Sequence, residues 1–207
     1  MDKLASSLGR RDEAPNVRLA QTITKNRDKK AIIDLVTNLA NKDKEIQSDC
    51  IKVLYEVGER EPTLIAPFAE EFGSLLDSKN NRLVWGAMTA IDCIASNSPE
   101  TVRRMLPKII DAADRGSVIG RDHAVSILTK LARRKEFADE AISLLVEQLR
   151  RSPSNQLPLY AEMAVPIVDE KHKDLFIMTL KLRLGDIQKE SKRKRVEKAI
   201  TKLSRRS

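Results

Sequence analysis

The sequence predicts an all-α fold built from stacked helical hairpins, and three observations support this prediction. Of its 207 residues only 3% are aromatic and only seven are glycine, a composition that does not favour a β-sandwich. No segment alternates apolar and polar residues over the length of a strand. Apolar residues recur instead at helical spacing, and the helical pattern itself repeats every 37 residues.

The repeat is clearest in the second helix of each hairpin. Four columns of residues, each stepping by 37 positions, stay apolar through four successive units. The first members of these columns occupy positions i, i+3, i+4 and i+7, which lie on one face of a helix. The columns are Cys50/Ala87/Ala124/Ala161, Val53/Ala90/Ile127/Ala164, Leu54/Ile91/Leu128/Val165 and Val57/Ile94/Leu131/Val168.

The first helix of each hairpin is predicted by a second apolar series, and the ends of the helices are predicted by short polar segments between them. The series Leu35/Phe72/Ile109/Val146 marks the first helix of each hairpin. Ser98 is typical of a residue that caps a helix, with Pro99 at the first helical position. We therefore expect a helix over 15–25 and then the pairs 29–40/45–58, 62–77/82–96, 99–114/119–134, 137–151/157–169 and 173–185/189–204.

Stacking is required because one hairpin cannot bury its own apolar face, whereas neighbouring hairpins share a continuous core. About five hairpins exceed the three or so that such an array needs for stability. We expect three parts: a basic N-terminal segment with a partial capping helix over 1–28, the repeats over 29–185, and a basic C-terminal capping helix over 186–207.

The net charge of +8 is concentrated at the two ends of the chain. Residues 1–30 carry a net charge of +4 and residues 181–207 a net charge of +8, so the stretch 31–180 is acidic, at −4. A surface that follows duplex phosphates needs basic residues spread along it. The sequence shows neither the apolar core of a signal peptide after Met1 nor a run that spans a bilayer, and we expect a cytoplasmic protein.

The stretch from Arg121 to Leu128, which reads Arg-Asp-His-Ala-Val-Ser-Ile-Leu, is similar to the second helix of HEAT repeats. Over about 30–185 the chain resembles HEAT-repeat and armadillo-like proteins in its repeat pattern. Its step of 37 residues is shorter than the usual length of about 40–47, and the arginine is not repeated from unit to unit. The Trp-x-x-Leu-Gly-x-x-Tyr signature of tetratricopeptide repeats is absent.

This resemblance implies a right-handed α-solenoid whose concave side is lined by second helices and holds a protein or peptide partner. The residues beside the core columns are the candidates for that side, and we expect Trp85, Tyr55, Lys52 and Asp92 to bind the partner. The alternative for Trp85 is that its ring packs against a neighbouring helix or loop. The resemblance implies no catalytic residue and no cofactor.

Catalytic and metal-binding patterns are weak in this sequence. His123 lies next to Asp122 but points about 100° away from the face that Asp122 shares with Ser126, so these three residues do not form a triad. HEAT-like DNA glycosylases offer a distant alternative, in which Trp85 and Asp92 would share one face of a groove. The acidic middle of the chain and its few aromatic residues disfavour that activity.

The last predicted helix has a basic stripe and an apolar stripe. Val196, Ala199, Ile200 and Leu203 are expected to dock on the preceding unit. The basic stripe then faces outward and either caps the array or binds nucleic acid, an acidic protein or an anionic membrane surface. If it binds nucleic acid, its residues are Lys194, Arg195, Lys198 and Lys202.

Overall fold

The computed structural model describes residues 2–205, so Met1 and the last two residues of the predicted C-terminal segment, 206 and 207, lie outside the described residues. Within that range the regular structure is entirely helical, as predicted, and contains no strand. The chain divides into two compact units, Met1–Ala124 (unit 1) and Val125–Ser207 (unit 2). The three-part division expected from the sequence stays a prediction.

Unit 1 contains a ladder of helices in which each second helix packs on the one before it. Its helices are α1 (Ala14–Asn26), α2 (Lys29–Thr37), α3 (Lys44–Arg60), α4 (Ala69–Ser74), α5 (Asn81–Ile94), α6 (Pro99–Arg104) and α7 (Leu106–Arg115). Helix α3 packs against α1 on one side and α5 on the other. Helix α8 (Val118–Leu131) spans the division between the units.

Unit 2 repeats the same arrangement with two hairpins. Its helices are α9 (Lys135–Arg151), α10 (Leu157–Ala164), α11 (Glu170–Arg183) and α12 (Glu190–Ser204). The second helices α10 and α12 pack together, as do the first helices α9 and α11. Helix α12 buries Val196, Ala199 and Leu203 of the apolar stripe predicted to dock it, and the fourth member, Ile200, is half-buried.

The core lies where the repeat pattern places it. All sixteen residues of the four apolar columns are buried, and most are completely inaccessible to solvent. The free thiol of Cys50 belongs to this core, where burial together with the charge of Asp49 raises its pKa to about 12. This thiol is therefore protonated at neutral pH and has a packing role.

Prolines interrupt two of the first helices, which are therefore shorter than predicted, whereas α9 covers the whole predicted range 137–151. Instead of one helix over 62–77, two 3₁₀ turns (Pro62–Leu64 and Ala66–Phe68) precede α4, and a third (Leu75–Asp77) follows it. Pro67 has no backbone N–H to donate to the preceding turn. Pro107 has the same effect in the next unit, where the expected helix over 99–114 breaks at Met105 into α6 and α7.

Short acidic or amide side chains cap several helices. The N-terminal caps of α2, α3, α5 and α11 accept a hydrogen bond from a backbone N–H of the first turn. These caps are Asp28, Asp43, Asn80 and Asp169. Ser98 and Pro99 occupy the predicted positions at the start of α6, but the Ser98 hydroxyl donates to the carbonyl of Ala66, 3.4 Å away, and does not cap the helix.

Two polar anchors hold the ends of helices in place. In unit 1, the Asp49 carboxylate accepts hydrogen bonds from the backbone N–H of Ser6 and the side chain of Asn16, at 2.7 and 2.6 Å. In unit 2, the Arg183 guanidinium donates to the carbonyls of Leu149 and Ser152 at the end of α9, at 2.6 and 2.9 Å. Both are charge-assisted bonds, which are stronger than bonds between neutral groups.

No helix within residues 2–205 has the length and apolar character needed to cross a membrane. The cytoplasmic location expected from the sequence stays a prediction.

Candidate functional site

The candidate site lies on α3 and α5, which approach each other closely in unit 1. Gly86 allows this approach, because a Cβ atom there would lie 2.9 Å from Cγ2 of Ile51 and nearer still to Cγ1. Lys52 and Trp85 are the sequence neighbours of these two contact residues. We call the surface formed by Lys52, Tyr55, Trp85 and Asp92 the ridge.

Lys52 is the most constrained member of the ridge. Its ammonium group lies 2.9 Å from Glu13, which precedes α1, and 2.8 Å from Glu56, one turn further along α3. The same group sits 4.7 Å from the centre of the Tyr55 ring, within the range of a cation–π contact. Only 14% of the Lys52 side chain is exposed, so most of its charge is used inside the protein.

The charges of this cluster support each other. Burial lowers the pKa of Lys52, but hydrogen bonds to Glu56, Tyr55 and Glu13 outweigh it and the net direction is upward. Burial raises the pKa of Glu56, but the hydrogen bonds from Lys52 and Arg60 prevail and that pKa is lowered. Glu56 is therefore ionised over most of the pH range and holds the two cations in place.

Glu56→Gln is expected to destabilise unit 1 by about 1 kcal/mol at pH 7, since the amide keeps the shape but removes the charge that Lys52 and Arg60 share. A lowered folded-state pKa gives stability that is present above the ordinary glutamate value of 4.5 and is lost as pH falls through the lowered value. The difference between wild type and variant should therefore shrink in that acidic range. Urea unfolding at a series of pH values measures it.

Glu59→Gln is the matched control for this prediction. Glu59 lies on the same helix but is exposed, so its substitution should change the free energy of unfolding by less than about 0.5 kcal/mol at any of these pH values. A Glu56→Gln variant whose destabilisation is independent of pH would contradict the proposed role of the charge.

Trp85 projects from α5 with 40% of its surface exposed. It is therefore not tucked fully into the core, and a large aromatic face is open to solvent. The ridge position two repeats later, Leu159 in unit 2, is also an exposed large apolar residue, with 38% of its surface accessible. Large apolar side chains at a shared repeat position are typical of a surface that contacts another molecule.

Asp92 belongs to a hydrogen-bonded chain that the sequence did not reveal. Its carboxylate lies 2.9 Å from Nδ1 of His123 on α8, and Nε2 of the same ring lies 3.0 Å from the hydroxyl of Thr89. That hydroxyl also donates to the carbonyl of Trp85. These hydrogen bonds therefore link α5 to the first turns of α8, and they fix the turn of α5 that contains Trp85.

The only sequence signal for these hydrogen bonds is the repeat itself. His123 follows Asp92 by 31 residues, close to one repeat length, so the two side chains lie on neighbouring second helices. The bonding of Asp92 to His123, with 14% of the Asp92 side chain exposed, disfavours the glycosylase alternative, in which this carboxylate would have to be free.

The four basic residues predicted to bind nucleic acid are exposed on α12, but two of them are engaged. Arg195 forms two hydrogen bonds to the Glu162 carboxylate on α10, at 2.8 and 2.6 Å. This contact lowers the pKa of Glu162, with smaller contributions from Lys202 and Lys198. Lys194 pairs with Glu190 on its own helix at 2.8 Å. The stripe is thus partly neutralised within unit 2.

Comparison with solved structures identifies the fold. A computationally designed armadillo repeat protein for modular peptide recognition matches with a TM-score of 0.68 and 15% identity, over 95% of this chain and 93% of that one. A designed armadillo repeat protein in complex with the peptide (KR)4 gives 0.66 and 17%, over 90% and 91%. An engineered protein gives 0.65 and 19%, over 98% and 94%.

No protein-family model and no protein of curated function matches the sequence. The structural matches confirm the predicted all-α solenoid of the armadillo and HEAT type. The right-handed superhelix and the repeat length of 37 stay predictions from the sequence.

Proposed function

We propose that the protein is a non-enzymatic scaffold that binds a peptide segment of a partner protein on the ridge. The half-exposed Trp85 carries this proposal, since it projects from α5, which packs against the helix that holds the ordered Lys52 cluster, and an exposed aromatic side chain is typical of a binding surface. The structural neighbours described as peptide-recognition proteins support the same type of function.

The charge around the ridge favours a basic peptide. Lys52 pairs with Glu13 and Glu56, and Arg60 also pairs with Glu56, so these four charges cancel. The carboxylate of Glu59, exposed on the same helix, gives this group of five residues a net charge of −1. A lysine or arginine side chain from a peptide would gain Coulomb attraction here, and Trp85 offers it an aromatic face.

Trp85→Ala is expected to weaken peptide binding by about tenfold or more, because truncating a central aromatic anchor costs roughly 2 kcal/mol. The probe is a fluorescein-labelled (Lys-Arg)4 peptide, with a (Glu-Asp)4 peptide of equal length for comparison. Fluorescence anisotropy measures the affinity. Because Trp85 is the only tryptophan in the sequence, its own emission reports whether the peptide contacts the ridge.

The matched control is Ile33→Ala, which removes a side chain that is 53% exposed on α2, a first helix away from the ridge. This variant should bind the basic peptide as wild type does. Equal affinity of Trp85→Ala and wild type, or an unchanged Trp85 emission at saturating peptide, would contradict the proposal.

Nucleic-acid binding by α12 is the second candidate function, carried by the exposed Lys198 and Lys202. A labelled DNA duplex in the same assay tests it. Binding that falls steeply with added salt and is lost in Lys198→Gln/Lys202→Gln would favour it, since released counterions dominate such complexes.

A further inference from the structure

Helix α11 in unit 2 exposes an unusual amount of apolar surface. Leu175, Met178 and Leu182 are 37%, 49% and 75% accessible to solvent. They occupy positions i, i+3 and i+7, so they form one continuous stripe along the helix. Exposed aliphatic residues that line up in this way mark interaction surfaces more often than isolated ones do.

The neighbouring first helix shows that this stripe is not a general property of the repeats. On α9 the exposed residues are all polar or charged: Lys135, Glu136, Asp139, Glu140, Ser143, Arg150 and Arg151. The side of α11 that faces α9 is separate from the stripe, because it carries His172, which reaches Asp139, and Arg183, which reaches the carbonyls at the end of α9. The stripe is therefore free to meet another molecule.

Two opposite charges accompany the stripe on the exposed part of α11. Asp174 and Lys181 lie seven residues apart, two helical turns, and both are exposed. Neither forms an ion pair with any other residue of the range 2–205. Each therefore has its full charge available to an incoming partner.

We propose that the partner of this surface is a second copy of the same chain, with the two α11 helices packed antiparallel across a two-fold axis. A two-fold contact is self-complementary, so each residue meets a symmetry-related one. Antiparallel pairing centred between residues 177 and 178 places Asp174 opposite Lys181 of the other copy, and Leu175 then lies between Met178 and Leu182 of the other copy. In this one register the opposite charges pair and the apolar side chains of the two helices interdigitate.

The size of the surface sets the strength of the dimer. Helix α11 has 14 residues and is therefore about 21 Å long. One face of a single helix buries less than the roughly 800 Å² per partner of a standard stable interface. We expect a reversible dimer whose population rises with concentration in the micromolar range.

Sedimentation equilibrium of the full chain from about 1 µM to about 300 µM tests the proposal. Wild type should move from monomer to dimer over this range. Leu182→Gln should weaken the dimer at least tenfold, whereas Ile33→Gln, at an aliphatic residue that is 53% exposed on α2, should leave it unchanged. Circular dichroism on each variant verifies that the helices are intact.

A charge swap distinguishes the antiparallel pairing from other contacts. Asp174→Lys places two lysines opposite each other at both ends of the interface and should weaken the dimer about tenfold at low salt. Adding Lys181→Asp to that variant recreates both opposite-charge pairs and should restore association. A chain that stays monomeric up to the highest concentration, or a double variant that stays as weak as Asp174→Lys, would overturn the proposal and leave α11 for a different protein.

Discussion

Ile91→Ala is expected to destabilise unit 1 by about 2–5 kcal/mol, the largest effect of the substitutions considered for this protein. Ile91 is completely buried on the inner face of α5, in the column that also contains Leu54. Its truncation removes apolar contacts and leaves a cavity that the surrounding helices fill only in part. The loss is comparable with much of the stability of a domain of this size.

Urea unfolding followed by two signals measures this effect. Emission from Trp85, which lies on the same helix, reports on unit 1, and circular dichroism at helical wavelengths reports on the whole chain. The Ile33→Ala variant serves again as control, because that exposed side chain should contribute less than about 0.5 kcal/mol. An Ile91→Ala midpoint equal to that of the control would show that the apolar column does not hold the unit together.

Gly86→Ala is expected to destabilise unit 1 by about 1–3 kcal/mol, although a glycine within a helix is normally improved by this change. The added methyl group would overlap Cγ1 and Cγ2 of Ile51, a completely buried side chain that is stiff about χ1. Helices α3 and α5 must then move apart, which also shifts Lys52 and Trp85.

Two further variants isolate the cause of the Gly86 effect. Gly120→Ala in α8 is the matched control, since its new Cβ atom meets only the Cα of Ala113 at 4.0 Å, and it should be neutral or stabilising by up to about 1 kcal/mol. Ile51→Ala combined with Gly86→Ala should cost less than the sum of the two single changes. Additive effects would rule out the steric contact as the reason.

The repeat pattern predicts the core well because buried positions carry apolar residues, and these residues recur in the sequence at helical spacing. Ala124 is a small residue and Leu128 a larger one, and both side chains are buried. The equivalent positions of the neighbouring repeats carry small and larger apolar residues in the same order. The exact course of the first helices was harder to foresee. Pro67 and Pro107 were visible in the sequence, but pattern alone did not show that each would break its helix.

The candidate site was predicted only in part, because it depends on contacts between repeats. The sequence places Lys52 and Trp85 beside the core columns, and the structure shows that their sequence neighbours Ile51 and Gly86 are in close contact between α3 and α5. The sequence gives no sign that Glu13 would reach Lys52, or that His123 would form a hydrogen bond with Asp92. Such pairs involve single polar residues that do not repeat, so periodicity carries no information about them.

The ladder of neighbouring helices also has a consequence for how quickly the chain finds its fold. The hydrogen bonds described above that join different hairpins span 31 to 43 residues, from Asp92 with His123 to Ser6 with Asp49. Each such contact closes a loop of about one repeat, and the entropy lost in closing it does not grow with the number of repeats. Low average sequence separation favours rapid folding, so either unit can begin to fold on its own while the rest of the chain is still disordered.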